Sequence, residues 1–261
     1  TKRLAVDHWL CLCKPIKKLK LHKHIIFSND LTGKAVERCK DGVVVKFKYF
    51  GDFFLLLAKT GQMPLPPYIR KFRPADSQDK DDYQTIFSTT IGSIASPTAS
   101  LHFDSNMMQK IEAKGIKTCF VTLHVGIGTF LPIRTEHISD HKMHEEFGEI
   151  DLATTEIIND ALTSGRRVIP VGTTSLRILE SSASKSGQIA NYKGFTDIYI
   201  TPGFNFRVTS ALITNFHIPK SSLFILISSF IGLEAAKQLY THAIKNKYRF
   251  YSYGDASLLI P

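Results

Sequence analysis

Residues Thr122–Phe130 read TLHVGIGTF. The apolar run ending at Val125 reads as a strand, and Gly126 and Gly128 follow it at once. Spaced glycines after a strand can open a dinucleotide fold or form a tight turn. The dinucleotide fingerprint needs a third glycine and then a helix. Leu131 and Pro132 stand where that helix has to begin, which argues against a Rossmann-type unit. Glycine still lets backbone approach a ligand closely.

Outward from this stretch, helices and strands alternate. DSNMMQKIEAKG (104–115) has Asp104 to cap a helix and Gly115 to end it, with the strand IKTCFVTLHV behind. DLATTEIINDALTSG (151–165) is a second capped helix, followed by the strand RRVIPVG, the helix TTSLRILESSAS and the strand FTDIYI. KSSLFILISSFIG and LEAAKQLYTHAIKNKY are two further helices. Such alternation predicts an α/β domain with a mostly parallel sheet.

Residues 1–50 differ. LAVDHWLCLC, HIIFS and AVERCKDGVVVKFKYF read as strands, the last as a hairpin turning about Lys40-Asp41-Gly42. GDFFLLLAKTG is a short helix closed by Gly61. The three prolines of MPLPPYI mark a rigid boundary that is neither helix nor central strand. RPADSQDKDD reads as a polar loop. The expected organisation is a small, barrel-like, incomplete all-β domain over residues 1–62 and an α/β catalytic domain over 63–261.

With 33 Lys and Arg against 23 Asp and Glu, the 261-residue chain carries a net charge of +10, which favours an anionic partner such as nucleic acid. The four cysteines, Cys11, Cys13, Cys39 and Cys119, include no CxxC pair, so reduced thiols are expected rather than zinc or a disulfide framework. The longest apolar stretch, SSLFILISSFIGL, is too short and too rich in serine to span a membrane. A cytoplasmic location is expected.

Ligands of α/β folds collect where strands end, and four such places stand out. In GTTSLR, Gly172 gives a turn and Thr173 and Thr174 open a helix; its free N–H groups and dipole suit a carboxylate or phosphate, or the threonines merely cap it. DHKMHEE holds His141, His144, Glu145 and Glu146; the HxxH spacing invites a metal, but HExxH is absent and the segment reads as a loop. ALITNFHIPKSSL sets Asn215, His217 and Lys220 in a break between a strand and an apolar helix. YRFYSYGDAS gathers Arg249, Tyr253 and Asp255 around Gly254, with aromatic rings that stack on a base or close the core.

Together these segments resemble the S-adenosylmethionine:tRNA ribosyltransferase-isomerase family of queuosine biosynthesis. The runs that carry the resemblance are MPLPPYI, DYQTIF, SPTASLHF, LHVGIGTFLPIR, HKMHEE, VGTTSLRILES, TDIYITPGFNF, LITNFHIPKSSL and YRFYSYGDA, in the family's order. Two departures are Ser100, where the family has Gly, and Ser210, where it has Asp; a side chain at Ser100 is expected to be strained if its φ is positive. The family also carries an N-terminal stretch before the point matching Thr1, so a missing segment is expected. A truncated, catalytically impaired RNA-binding remnant is the alternative reading.

The resemblance implies a reaction. The ribosyl part of S-adenosylmethionine moves to 7-aminomethyl-7-deazaguanine at the tRNA wobble position, giving epoxyqueuosine-tRNA with release of adenine and methionine. No metal or other cofactor is implied, and a monomer is expected. His102, His217 and Asp255 are the implied acid–base candidates. Implied substrate-binding residues are Thr98, His124, Gly126, Gly128, Thr129, His144, Glu145, Gly172, Thr173, Thr174, Arg177, Asp197, Asn215, Lys220, Arg249 and Tyr253. Basic residues of the β part and of YIRKFR are expected against tRNA phosphates.

Overall fold

The computed structural model describes residues 2–13, 15–16, 19–39, 42–90, 92–93, 95–126 and 135–261. The chain divides into two compact units, Thr1–Pro64 and Leu65–Pro261.

The first unit is one antiparallel sheet and a helix. Strands β1 (Lys2–Arg3), β2 (His8–Cys11), β3 (His24–Ile26), β4 (Leu31–Cys39) and β5 (Gly42–Tyr49) lie in the order β1-β2-β5-β4-β3. Alternation along β4 and β5 turns Leu31, Ala35, Val45 and Phe47 into the core. Helix α1 (Phe53–Thr60) is capped by the Asp52 carboxylate, which accepts the Leu55 N–H at 2.9 Å. Its other end closes where the Gly61 N–H reaches the Leu57 carbonyl, and Phe53 stacks on Trp9 at 5.2 Å. The unit is therefore not all-β, and among the described residues its sheet is open rather than barrel-like: the edge strands β1 and β3 are too short to meet. Lys40 and Asp41 of the expected turn lie outside the described residues, although Cys39 does face Gly42. All four cysteines are free thiols.

The second unit opens with α2 (Pro67–Phe72) and α3 (Asp79–Asp82). Both correct the sequence reading. Proline at the first helical position loses no bond the helix would have made, so PPYIRKF starts a helix instead of only blocking one. The segment read as a polar loop contains α3, with a fully buried Asp79.

A 3₁₀ turn follows at Thr98–His102, then α4 (Ser105–Ala113), β6 (Thr122–His124), β7 (Glu146–Ile150), α5 (Leu152–Thr163), α6 (Thr173–Ser182), β8 (Tyr192–Thr196), β9 (Leu212–Asn215), α7 (Ser222–Ile231), α8 (Leu233–Lys245) and β10 (Ala256–Leu259). Asp104 and Asp151 cap α4 and α5 as the sequence predicts, each accepting a backbone N–H at 2.7 Å. Ser100 lies in the 3₁₀ turn without a positive φ, so the expected strain is absent. Ser210 accepts the Val168 N–H on its hydroxyl at 3.2 Å.

The mostly parallel sheet is not what forms. β6-β7-β8 and β9-β10 are both antiparallel. Parallel pairing is confined, among the described residues, to the bridge between Val171 and Ile213. There the Ile213 N–H meets the Pro170 carbonyl and the Gly172 N–H meets the Ile213 carbonyl, at 3.1 and 2.8 Å. Pro170 has no N–H for a longer ladder, so RRVIPVG stays extended without becoming a strand.

Helix α6 joins the two cores of this unit. Leu176 packs with Leu212, Leu226, Ile227 and Phe230, whereas Ile178 and Leu179 pack with Leu123, Ile150 and Ile158. The apolar character of α7 is explained by this burial. No single described helix is long and apolar enough to cross a membrane; α7 and α8 meet at a 114° bend.

The end of α6 sets the path into β9. The buried Glu180 carboxylate accepts the N–H groups of Arg207, Val208 and Thr209 and the Thr209 hydroxyl, at 2.7–3.2 Å. Glu180→Ala leaves the Val208 and Thr209 backbone donors buried without this partner and is expected to cost about 2 kcal/mol or more. Urea unfolding of the variant checks this; an unchanged midpoint would mean the 207–209 turn is held by other contacts.

Candidate active site

A cavity of about 260 Å³ lies within the second unit, where loops from both ends of its sequence converge. The side chain that holds these loops together is Asn215, buried at the end of β9. Its Oδ1 accepts the Thr98 hydroxyl at 3.1 Å, and its Nδ2 donates to the Gly254 carbonyl at 3.2 Å. The His102 Nε2 stands 3.4 Å from the same Nδ2.

One wall of the cavity suits an anion. Gly172, Thr173 and Thr174 face it at the start of α6, and Ser221 faces it at the start of α7. Gly172 is the N-cap of α6, with φ 90°, and no side chain caps that helix. The reading of Thr173 and Thr174 as ordinary caps is thus set aside: Gly172 takes the turn and leaves the first N–H groups of α6 to the cavity. Ser221 caps α7 on the Phe224 N–H at 3.2 Å. Two positive helix ends and the Lys220 ammonium therefore converge on one space.

Another part of the lining is aromatic. Tyr68, Tyr83 and Tyr251 form it, with the Tyr68 and Tyr251 rings 5.0 Å apart. The Tyr68 hydroxyl donates to the Ser252 Oγ and accepts the Ser252 N–H at 2.9 Å. Burial pushes the Tyr83 hydroxyl up to about 12, so it stays a proton donor. The Ser96 hydroxyl, also in the wall, is buried without a hydrogen-bond partner.

His217 is the only histidine among the lining residues described. Its Nε2 lies 2.9 Å from the Thr214 hydroxyl, and its backbone N–H donates to the Tyr240 hydroxyl at 2.8 Å. Desolvation pushes its pKa down to about 4, so the ring is neutral at physiological pH.

The other predicted residues fall into three groups. Thr98, Asn215 and Lys220 line the cavity with Gly172, Thr173 and Thr174. His102, Asp255, Arg249 and Tyr253 stand behind or beside it without lining it. Asp255 is clamped by Arg249, whose N–H, Nε and Nη2 all donate to it at 2.7–3.1 Å; this holds its carboxyl below the usual range and occupies it as a base. Tyr253 donates to the buried Asp79 at 2.8 Å.

The third group lies elsewhere. Arg177 is buried in an ion pair with Glu146, whose other oxygen accepts the Gly126 N–H at 3.1 Å, so Arg177 does not reach the cavity. His124 stacks on Phe147, and His144, Glu145 and Asp197 are exposed. Gly128 and Thr129 lie outside the described residues. Among those described, no three His, Cys, Asp or Glu side chains stand close enough to hold a metal ion.

Sequence reasoning missed the support behind the aromatic wall. Arg73 grips Asp79 with two nitrogens at 2.6 and 2.7 Å, and the Asp76 N–H adds a third bond. The Arg73 hydrogen bonds hold the Asp79 carboxyl well below the ordinary carboxylate range. Arg73, expected against phosphate, is thereby engaged inside its own unit. The one available signal was the Arg-Pro-Ala-Asp spacing, which does not by itself foretell burial.

These features make a half-open cavity whose lining combines helix starts that suit an anion with tyrosine rings. A family profile described as "Queuosine biosynthesis protein" matches residues 1–259. The chain belongs to that family. It is 50% identical over 98% of its length to the S-adenosylmethionine:tRNA ribosyltransferase-isomerase of Dinoroseobacter shibae, covering 73% of that protein. The enzyme of the same name from Zymomonas mobilis is 48% identical, with 76% of it covered. The crystal structure of S-adenosylmethionine tRNA ribosyltransferase from Thermotoga maritima matches all of this chain and 73% of its own, with a TM-score of 0.52 and 28% identity.

The neutral His217 makes a pH prediction. Unfolded, its pKa is the ordinary 6.5; folded, it is about 4. Between those values the unfolded chain binds more protons, so stability falls as pH drops from 6.5 through 4. NMR titration of the imidazole should find it unprotonated at pH 5.5. A midpoint near 6.5 would show that the ring is solvated rather than buried.

Proposed function

We propose that this chain is a transferase-isomerase that moves the ribosyl part of S-adenosylmethionine onto 7-aminomethyl-7-deazaguanine at the tRNA wobble position. Adenine and methionine leave, and epoxyqueuosine-tRNA forms. The observation that carries this reading is the polarised cavity, in a chain half identical to enzymes of that name. An impaired RNA-binding remnant is not better supported, because among the described residues Asn215 and Tyr68 tie the cavity walls together by hydrogen bonds.

S-adenosylmethionine fits with its methionine carboxylate at the starts of α6 and α7 and its adenine among Tyr68, Tyr83 and Tyr251. The sulfonium then lies near the middle of the cavity, where it acidifies the ribose 5′ carbon. His217 is the proposed base. Its conjugate acid near 4 makes it weak in the empty cavity, but a bound carboxylate pushes such a group back up. Removal of the 5′ proton expels adenine; the exocyclic amine of the tRNA base attacks the ribose 1′ carbon; epoxide closure expels methionine. The scheme uses no metal or redox cofactor, and a cytoplasmic monomer suffices for it.

The test is to incubate the protein with S-adenosylmethionine and tRNA carrying the aminomethyl base. Release of adenine and methionine, with the matching mass increase in the tRNA nucleoside, is expected. Binding of S-adenosylmethionine without transfer would overturn the enzymatic reading. His217→Gln should lower kcat by about 10²- to 10⁴-fold and leave S-adenosylmethionine affinity nearly unchanged; unaltered kcat would remove His217 as the base. Thr174→Asp sets a negative charge against the carboxylate and should weaken S-adenosylmethionine about 30- to 150-fold, on the order of 2–3 kcal/mol. If tRNA binding weakens instead, the helix start holds a phosphate.

A further inference from the structure

The outer face of the β6-β7-β8 sheet carries a feature that the cavity does not use. His124 pairs in register with Phe147, and Phe147 with Phe195. The three rings form one row across three strands, with centroids 6.1 and 5.4 Å apart. Their neighbours Leu123 and Gly148 turn the other way, into the core against Ile178. Along the row exposure rises toward the sheet edge: the His124 ring packs against Gly92, Phe147 is half-buried, and Phe195 on the edge strand is 64% exposed.

Inward-facing apolar residues form the core, and the cross-strand ring pairs add only about 0.2–1 kcal/mol each to the sheet. A row crossing three strands spans about 10 Å. His124 and Phe147 lie near-parallel at 22° while Phe195 is turned edge-on to Phe147 at 71°, and aromatic rings on a sheet are a surface on which unpaired bases stack. Two observations favour RNA over an apolar protein partner. The segment running into β7 carries the exposed Lys142 ammonium, with the exposed His144 and Glu145 beside it, in a chain of net charge +10. The row also stands one residue along the chain from the cavity, since Val125, which follows His124, lines it.

We propose that His124, Phe147 and Phe195 form a stacking platform for unpaired bases of the RNA loop whose wobble base enters the cavity. This rests on the tRNA-modifying function proposed above. The platform orients a loop through its base faces without reading their edges, and it places the loop beside the Val125 wall.

The experiment measures binding of a fluorescent anticodon stem-loop RNA by anisotropy, with a loopless duplex of the same stem for comparison. Phe195→Ala and Phe147→Ala should each weaken the stem-loop about 5- to 150-fold and leave the duplex and S-adenosylmethionine unchanged. Phe195→Trp should preserve or tighten stem-loop binding. Ile244→Ala, which removes a side chain 67% exposed on α8, controls for loss of apolar surface and should change nothing. Equal stem-loop affinity for wild type and both Phe variants overturns the platform; product formation by the wild type under those conditions leaves the enzymatic function standing. If wild type makes no product and does not prefer the loop, that function falls and the platform with it. Sedimentation that turns a wild-type dimer into a Phe195→Ala monomer assigns the row to a second copy of the chain and also overturns the proposal.

Discussion

The geometry of the second unit depends on one buried amide. Asn215 ends β9, where backbone pairing with β10 stops, and its side chain continues the cross-linking. It fixes the Thr98 turn on one side and Gly254 on the other. These partners lie 117 and 39 residues away in sequence. A buried amide holds segments this way because leaving either of its ends unpaired is costly. The cavity is the space that remains once the three segments are tied.

A second constraint works from behind. Helix α6 has three duties along ten residues. Its first turn presents uncapped N–H groups to the cavity. Its middle holds Arg177 against Glu146, which also takes the Gly126 N–H, so Gly126 is tied to the helix. Its last turn gives Glu180 to the segment that leads into β9. Arg177 was expected to support the bound anion; its contribution is to hold the walls in place.

What the sequence revealed and what it hid divide along a physical line. Caps such as Asp104 and Asp151 act within three residues, and the structure keeps them. The GTT and NFHIPK breaks were legible for the same reason: a glycine or proline beside polar residues changes the local chain path. Strand direction was not legible. Alternating helices and strands imply a parallel sheet only if each strand continues the same ladder, and Pro170 ended that ladder after one bridge. The Asp79 cluster was hidden because its partner Tyr253 lies 174 residues away. An acidic, polar stretch looks like a solvated loop until Arg73 and that tyrosine arrive.

The β9–β10 pairing has a consequence for biosynthesis. A ribosome makes Thr98, Gly172 and Asn215 long before Tyr251, Ser252 and Gly254, and β9 has no antiparallel neighbour until residues 256–259 emerge. Non-local contacts of this kind form late, after the entropy of closing a long loop has been overcome. A nascent chain therefore carries the helix start of α6 together with Tyr68 and Tyr83 while it still lacks Tyr251 and the Ser252 that Tyr68 bonds. The cavity is completed only when the last dozen or so residues, which pair with β9 and bond Asn215 and Tyr68, are in place.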